Sequence, residues 1–231
     1  KKNHDVSIDM RGFRPNARII RIIYSVGLPS IIMQSITSVM TYGMNLILIS
    51  FSATAVTVLG IYFKLQSFIF MPIFGLNNGM IPIIAYTYGS RSKKRIMDTA
   101  KLSIAIAIGI MLLGLVIFQV FTPQLLMLFN ASDSLLEIGI PALRTISLSF
   151  LFAGYCIITG SVFQALGNGV YSLIISVARQ LLCILPLAYI FSHVWGLHAV
   201  WFAFPMAEII STLLTSILFK RIYNKKIKVL E

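Results

Sequence analysis

The sequence has 231 residues, of which 58% are hydrophobic and only 11% are charged. Because a soluble globular chain carries roughly 25% charged residues, this composition excludes a water-soluble domain and predicts that lipid surrounds most of the surface. The net charge of +12 does not indicate nucleic-acid binding, since the basic residues lie at the ends of apolar runs, where they set the orientation of membrane proteins.

Six transmembrane helices are predicted, because roughly 20 apolar residues are needed to cross the bilayer. The spans are expected at about residues 22–49, 55–88, 99–121, 138–166, 171–192 and 197–219. Residues 1–21 are expected to form a cytoplasmic linker, and residues 221–231 a basic cytoplasmic tail. Within the second span, Pro72, Gly75, Gly79 and Pro82 predict a kink or local unwinding. The predicted fold is an all-α membrane protein with a six-helix transmembrane bundle.

The basic residues predict how this bundle is oriented. Sixteen of the nineteen Lys and Arg residues fall in the two termini and in the loops on their side of the membrane, whereas the opposite loops contain none. The other three, Lys64, Arg144 and Arg179, fall within predicted spans. Since cytoplasmic segments carry the excess of Lys and Arg, both termini are predicted to be cytoplasmic.

Three charged residues are predicted near the middle of the membrane, and Glu208 is the only carboxylate deep within a span. A charge at the bilayer centre costs ~2.5 kcal/mol or more, so Glu208 is expected to pair with Lys64 or Arg179. Two interpretations follow. The pair lines a substrate and ion pathway and senses protons or cations, or it is a structural ion pair that fixes helix packing.

Several uncharged amides also lie within the predicted spans. They are Gln34, Asn45, Gln66, Asn77 and Asn78, with Gln164 further along the chain. Such side chains line polar routes through apolar walls, and they also form hydrogen bonds between packed membrane helices. The sequence leaves both interpretations open.

Neither a catalytic residue nor a metal site is predicted. His193 and His198 flank a single outer turn, and Cys156 and Cys183 lie in separate apolar runs. Two histidines alone do not complete a metal site, and no nucleophile stands beside a base. The sequence therefore argues against an enzyme.

Three motifs resemble one transporter family. The run from Ile61 to Gly79, with its exit at residues 86–91, resembles the eighth transmembrane helix of the multidrug and toxic compound extrusion (MATE) family, in its branch of small bacterial drug exporters. Residues 26–30 resemble the opening of the family's seventh helix, and residues 204–208 resemble the middle of its twelfth. The chain would then be the C-terminal half of such a transporter.

The resemblance implies a twelve-helix, V-shaped exporter in which two pseudosymmetric bundles surround a central cavity. It implies a secondary antiporter of the bacterial inner membrane that expels organic cations or other small lipophilic drugs in exchange for H⁺ or Na⁺, with no other cofactor. An N-terminal six-helix bundle would be the partner of this chain. Residues 1–21 would be the linker between the two bundles.

One departure from the family pattern concerns the coupling ion. Several members carry a cation-binding Glu in the seventh helix and an Asp in the tenth, but here Thr37 takes the first position and residues 152–155 contain no acid. A cation site of that kind is therefore not expected. A flippase-like exporter of amphipathic, lipid-linked substrates and a membrane scaffold without transport activity stay open as alternatives.

Overall fold

The computed structural model of the protein describes residues 15–230, apart from the side chains of Ile22, Ser25, Val26 and Ser30. Over this range the chain is helical and contains no strand. The helices are α1 (Ala17–Ile49), α2 (Ala53–Gly89), α3 (Lys93–Val120), α4 (Thr122–Met127), α5 (Asp133–Ser147), α6 (Phe150–Ala165), α7 (Gly169–Val177), α8 (Leu185–Val194), α9 (Leu197–Val200) and α10 (Ala203–Ile222), with π-helical segments at Ala178–Ile184 and Tyr223–Ile227.

Five helical stretches within the described residues are long and apolar enough to cross a membrane. They are Gly27–Ile49, Ala53–Gly89, Lys93–Val120, Gly169–Val194 and Leu197–Ile227. A sixth crossing is present if α5 and α6 together form one bent span. The all-α membrane fold is thereby confirmed, and the chain is a multi-pass membrane protein.

Polar caps determine where the first two helices begin. The side-chain oxygen of Asn16 accepts the backbone N–H of Arg18 at 2.9 Å, so α1 begins at Ala17, inside the segment predicted as linker. The hydroxyl of Ser52 accepts the backbone N–H of Ala55 at 3.1 Å and starts α2. Residues 1–14 of the predicted linker lie outside the described residues.

The predicted fourth span at 138–166 differs from the structure, because two helices that meet at an angle of 49° replace one continuous helix. At this break the side chain of Gln119, on α3, donates one hydrogen bond to the backbone carbonyl of Arg144 at 2.8 Å and another to the hydroxyl of Ser147 at 3.0 Å. The first bond satisfies the Arg144 carbonyl, which in a continuous helix would accept from the N–H of Leu148; here that N–H bonds to the carbonyl of Thr145 instead. A contact with α3 therefore stabilises the bend.

An aromatic cluster holds the first residue after the bend. Phe150 is fully buried, and its ring packs edge-on against Phe118 of α3 and Phe70 of α2, with centroid distances of 5.1 and 5.5 Å. Such edge-to-face pairs contribute about 0.5–1.5 kcal/mol beyond the burial of their surface. The cluster thus fixes the start of α6 against the two preceding spans.

The span from Gly169 to Val194 changes its hydrogen-bond pattern midway, at the π-helical segment Ala178–Ile184. Pro186 stands just beyond this segment, at the start of α8. Because proline has no backbone N–H to donate, it cannot continue the regular helical ladder, and the preceding turn widens. The widened turn carries Arg179, whose side chain is described below.

Part of the segment that was predicted as a basic cytoplasmic tail at 221–231 is folded against the bundle. We call Tyr223–Ile227 the C-terminal clasp. Ile227 is fully buried, and the Lys226 ammonium donates a hydrogen bond to the carbonyl of Leu166 at 2.8 Å. The same ammonium lies 5.8 Å from the ring centroid of Tyr88. One side chain therefore connects the ends of α2 and α6 to the clasp.

Replacing Lys226 by methionine should destabilise the full-length protein by about 1 kcal/mol. The change keeps the apolar stem but removes the bond to the Leu166 carbonyl and the contact with the ring of Tyr88. Thermal unfolding in detergent would measure it, with Lys225→Met as the control, since Lys225 is exposed and removal of its charge changes the tail equally. Equal stability of the two variants would contradict a role for the clasp.

Candidate functional site

An ion pair lies inside the helical bundle, between the π-helical segment and α10. The Arg179 guanidinium donates a hydrogen bond from Nη1 to Oε1 of Glu208 at 2.9 Å. Glu208 is 8% exposed, and a quarter of the Arg179 side chain is accessible. A charge in the membrane interior is stable only when it is paired or hydrated, and this pair meets that condition.

A cavity of about 340 Å³ opens beside this pair, and we call it the aromatic chamber. Its apolar walls include rings from α2 and α10, and its polar groups come from several helices. The lining side chains used below are those of Thr37, Tyr62, Phe63, Gln66, Phe70, Phe74, Ala153, Ile157, Arg179, Gln180, Phe204 and Glu208. The chamber thus combines aromatic surface with a carboxylate.

A second cavity of about 420 Å³ lies next to it, and we call it the amide chamber. Its polar lining consists mainly of carboxamides and hydroxyls from four helices and of one guanidinium. These side chains are Gln34, Asn77, Asn78, Gln164, Ser161, Ser172, Ser176 and Arg179, with Phe74 and Ile157 among the apolar ones. In contrast to the aromatic chamber, it includes no carboxylate among the described residues.

Arg179 lies at the boundary between the two chambers. Its side chain lines both of them, as do Phe74 and Ile157, whereas Glu208 lines the aromatic chamber alone. The hydrogen bond from Arg179 to Glu208 therefore directs the guanidinium toward the aromatic chamber. Movement of this one side chain would change the polarity of both cavities.

Two polar atoms of the chamber walls are buried without a hydrogen-bond partner among the described residues. They are Oδ1 of Asn77, in the amide chamber, and Oε2 of Glu208, in the aromatic chamber. Asn77 is 7% exposed. A buried acceptor without a partner costs about 1–3 kcal/mol. Such exceptions occur at functional sites, but both atoms are almost fully enclosed, so a ligand could bond to them only after a small movement of the chamber wall.

The structure brings together most of the predicted site residues. Of the two partners expected for Glu208, it selects Arg179. Lys64 instead is exposed, and its ammonium lies 5.9 Å from the ring centroid of Phe129. Gln66 lines the aromatic chamber, while Asn45 lines neither chamber. The other amides named from the sequence, Gln34, Asn77, Asn78 and Gln164, line the amide chamber.

Other residues of the chambers were not predicted from the sequence. Tyr62 and Gln180 line the aromatic chamber, and three serines line the amide chamber. Ser172 and Ser176 are four residues apart, which places them on one face of a helix and is a usable signal. Nothing in the sequence marked Tyr62 as a chamber residue, because most aromatic residues in a membrane span only pack against other helices or lipid.

The two positions where this chain departs from the family's cation-site pattern also lie at the aromatic chamber. Thr37 lines it, and its hydroxyl donates to the backbone carbonyl of Met33 at 3.3 Å, which ties the side chain to its own helix. Ala153, from the region without an acid, lines the same chamber. Glu208 is therefore the one carboxylate in the described lining.

The chain is similar to known proteins over most of its length. The family model MatE matches residues 29–190. The multidrug export protein MepA of Staphylococcus haemolyticus (strain JCSC1435) is 25% identical over 97% of this chain and 49% of its own length. MepA of Staphylococcus aureus (strain bovine RF122 / ET3-1) is 28% identical over 90% of this chain and 46% of its own length.

Solved structures show the same relationship. A multidrug resistance MATE family transporter of the MOP superfamily in an outward-facing conformation matches with a TM-score of 0.86 and 26% identity, over 97% of this chain and 50% of that chain. A MOP superfamily transporter from Pyrococcus furiosus matches with the same score, identity and coverage. The chain spans about half the length of the curated relatives it matches. The resemblance of the motifs is thereby confirmed, and the chain belongs to the MatE family of multidrug efflux transporters.

Proposed function

We propose that this chain forms one six-helix half of a secondary active multidrug efflux antiporter, which exports organic cations and other lipophilic drugs in exchange for H⁺ or Na⁺. The other half would be an N-terminal six-helix bundle, in keeping with relatives about twice as long. The observation that carries the proposal is the buried Arg179–Glu208 pair at the boundary of two chambers inside a membrane bundle.

The dimensions of the chambers support a small-molecule substrate. Ligand pockets typically have about 300–1,000 Å³ and mostly apolar walls with a few placed polar groups. The two chambers have about 340 and 420 Å³ and meet that description. The aromatic chamber adds ring faces, which attract lipophilic and cationic groups.

We assign the pathway to the predicted residues that line these chambers. They are Glu208, Arg179, Gln34, Gln66, Asn77 and Asn78. Lys64 and Asn45 line neither chamber, so we do not assign them to the pathway.

We also propose that the protein resides in a bacterial inner membrane with both termini in the cytoplasm. The bacterial MepA relatives support the membrane. The orientation is supported by the sixteen Lys and Arg residues on the side of the termini, against none in the opposite loops. Lys226 and the rest of the C-terminal clasp would then lie at the cytoplasmic surface.

The chamber lining favours drug export over the flippase alternative. A lipid-linked substrate with a pyrophosphate group needs several cationic side chains to offset its charge. Among the described residues, Arg179 is the only cation that lines either chamber, and Glu208 is bonded to it. A membrane scaffold would not account for two such chambers.

The test is efflux by the full-length protein reconstituted in proteoliposomes. We would measure release of ethidium, a lipophilic cation, under a Na⁺ gradient and under a pH gradient imposed separately. Export that follows one gradient, and is lost when that gradient is dissipated, is the expected result and identifies the coupling ion. Absence of gradient-driven export for ethidium and for a panel of neutral amphiphiles would overturn the proposal.

Replacing Asn77 by leucine should lower transport several-fold and at the same time stabilise the protein by about 1 kcal/mol. The stability gain is expected because leucine has nearly the same volume and removes a buried acceptor that has no partner. Efflux rates and thermal unfolding would measure the two effects. Asn45→Leu is the control, since Asn45 is an amide outside both chambers. Loss of stability with unchanged transport would show that Asn77 serves packing alone.

A further inference from the structure

We propose that Arg179 determines which substrate charge this half of the transporter accepts. Its guanidinium offsets the Glu208 carboxylate, so that the described lining of the two chambers together carries no net charge, and selection rests on the apolar body of the substrate and on an uncharged hydrogen-bonding group. Among the cations and lipophilic drugs of the proposed function, the favoured substrate is an amphipathic molecule with an aromatic body and a hydroxyl, amide or similar polar group. This inference rests on the proposed function and narrows it.

The first argument is the charge of the chamber walls. Among the described residues, the lining of both chambers includes one carboxylate, Glu208, and one cationic side chain, Arg179. The two are joined at 2.9 Å. At the position of a ligand several ångströms away, two opposite charges so close together largely cancel. A cationic substrate therefore gains little net attraction from this wall.

The second argument is the unequal placement of the two charges. The amide chamber includes Arg179 in its lining but not Glu208. A positively charged group would be repelled there, whereas carboxamides and serine hydroxyls offer both donors and acceptors. Asn77, whose Oδ1 has no hydrogen-bond partner among the described residues, is one of these carboxamides, and the residue is nine-tenths buried. The amide chamber thus suits an uncharged polar group.

The third argument is the chemistry of the neighbouring cavity. The aromatic chamber presents the rings of Tyr62, Phe70 and Phe204. Because the chambers share Phe74, Ile157 and Arg179, they are adjacent. A single amphipathic molecule with its ring system in the aromatic chamber would have its polar group at the boundary that Arg179 forms. Arg179 would therefore lie beside the part of the ligand where charge matters most.

The experiment uses charge variants of the full-length protein. The assay is run at alkaline pH, so that Glu208 stays ionised when its partner is removed. Under that condition Arg179→Gln gives the described lining a net charge of −1, Glu208→Gln gives it +1, and the double variant returns it to zero. Each variant is offered two substrates of the same shape, an aromatic amphiphile that carries a trimethylammonium group and its uncharged tert-butyl isostere. The measured quantity is the ratio of their kcat/KM values for efflux, corrected for the amount of protein reconstituted.

The expected ratio follows the net charge of the lining. Relative to the wild type, Arg179→Gln should raise the cation-to-neutral ratio about tenfold, and Glu208→Gln should lower it by a similar factor. The double variant should return within about threefold of the wild type. Arg179→Lys keeps the positive charge but changes the hydrogen-bond geometry, so the cation-to-neutral ratio should stay the same. This variant distinguishes an effect of charge from an effect of hydrogen-bond geometry.

Two results would overturn the inference. In the first, the single variants slow the efflux of both substrates equally, so that the cation-to-neutral ratio stays constant. The Arg179–Glu208 pair would then serve helix packing alone. In the second, the ratio changes in the single variants but does not recover in the double variant. If the wild type exports neither substrate, the proposed function fails instead. Equilibrium binding of the same two compounds to the purified variants then tests the ratio independently of transport, and serves equally where a variant is poorly active.

Discussion

Replacing Glu208 by alanine should destabilise the full-length protein by about 3 kcal/mol. Arg179 would lose the partner bonded at 2.9 Å and would stay in the membrane interior as an uncompensated charge. Removal of one partner of a buried ion pair typically costs about 3–5 kcal/mol, and the partial exposure of Arg179 places the expectation at the lower end. Denaturation of the purified protein in detergent would measure the loss.

The matched controls separate the missing charge from missing packing. Arg179→Met should cost less than Glu208→Ala, because a carboxylate left alone can bind a proton, whereas a guanidinium stays charged. The double variant Arg179→Met/Glu208→Leu should stay within about 1 kcal/mol of the wild type, since apolar residues replace both charges. If the double variant were as unstable as Glu208→Ala, the geometry of the pair rather than its charge balance would stabilise the bundle.

The length of the second helix could be predicted from the sequence because hydrophobic length is encoded locally. The second span, expected at 55–88, is observed at Ala53–Gly89. The bend at residues 148–149 could not be predicted in this way, because neither Gly nor Pro occurs at the break. Gln119 stabilises it from another helix, about 30 residues earlier in the chain. A contact between helices is not visible in local periodicity.

The sequence also could not show whether Lys64 or Arg179 pairs with Glu208. Depth in the membrane can be counted along a sequence, and it placed Lys64 and Arg179 near the same layer. The direction in which a side chain points depends on rotation of its helix, and here the π-helical segment Ala178–Ile184 alters that rotation at Arg179. Pro186 was the available signal for an irregular turn in this span.

The C-terminal clasp could not be predicted from the charge of its residues. The segment around Lys225 and Lys226 has the composition of a solvated basic tail, and the sequence supports no more than that. Ile227 is nevertheless fully buried, and Lys226 has a carbonyl partner 60 positions earlier in the chain. Burial of one isoleucine depends on a surface that the other helices must first form.

Replacing Gly114 by leucine should destabilise the protein by about 3 kcal/mol and abolish transport. A Cβ atom at this position of α3 would overlap with Cγ2 of Ile69, on α2. Because isoleucine is branched at Cβ and has one strongly preferred rotamer in a helix, it cannot rotate away, and the two helices must separate. Close approach at small residues is a principal source of packing energy between membrane helices.

Gly109→Leu is the matched control, because Gly109 lies on the same helix and a Cβ atom there would have no neighbour within 4 Å. That variant should be neutral or more stable by up to about 1 kcal/mol, since leucine favours a helix more than glycine does. Thermal unfolding and efflux would be measured for both. Because α2 carries Gln66, Phe70 and Asn77 into the two chambers, its displacement by Gly114→Leu should remove transport together with stability. Equal effects of the two variants would show that α2 and α3 do not depend on close contact at Gly114.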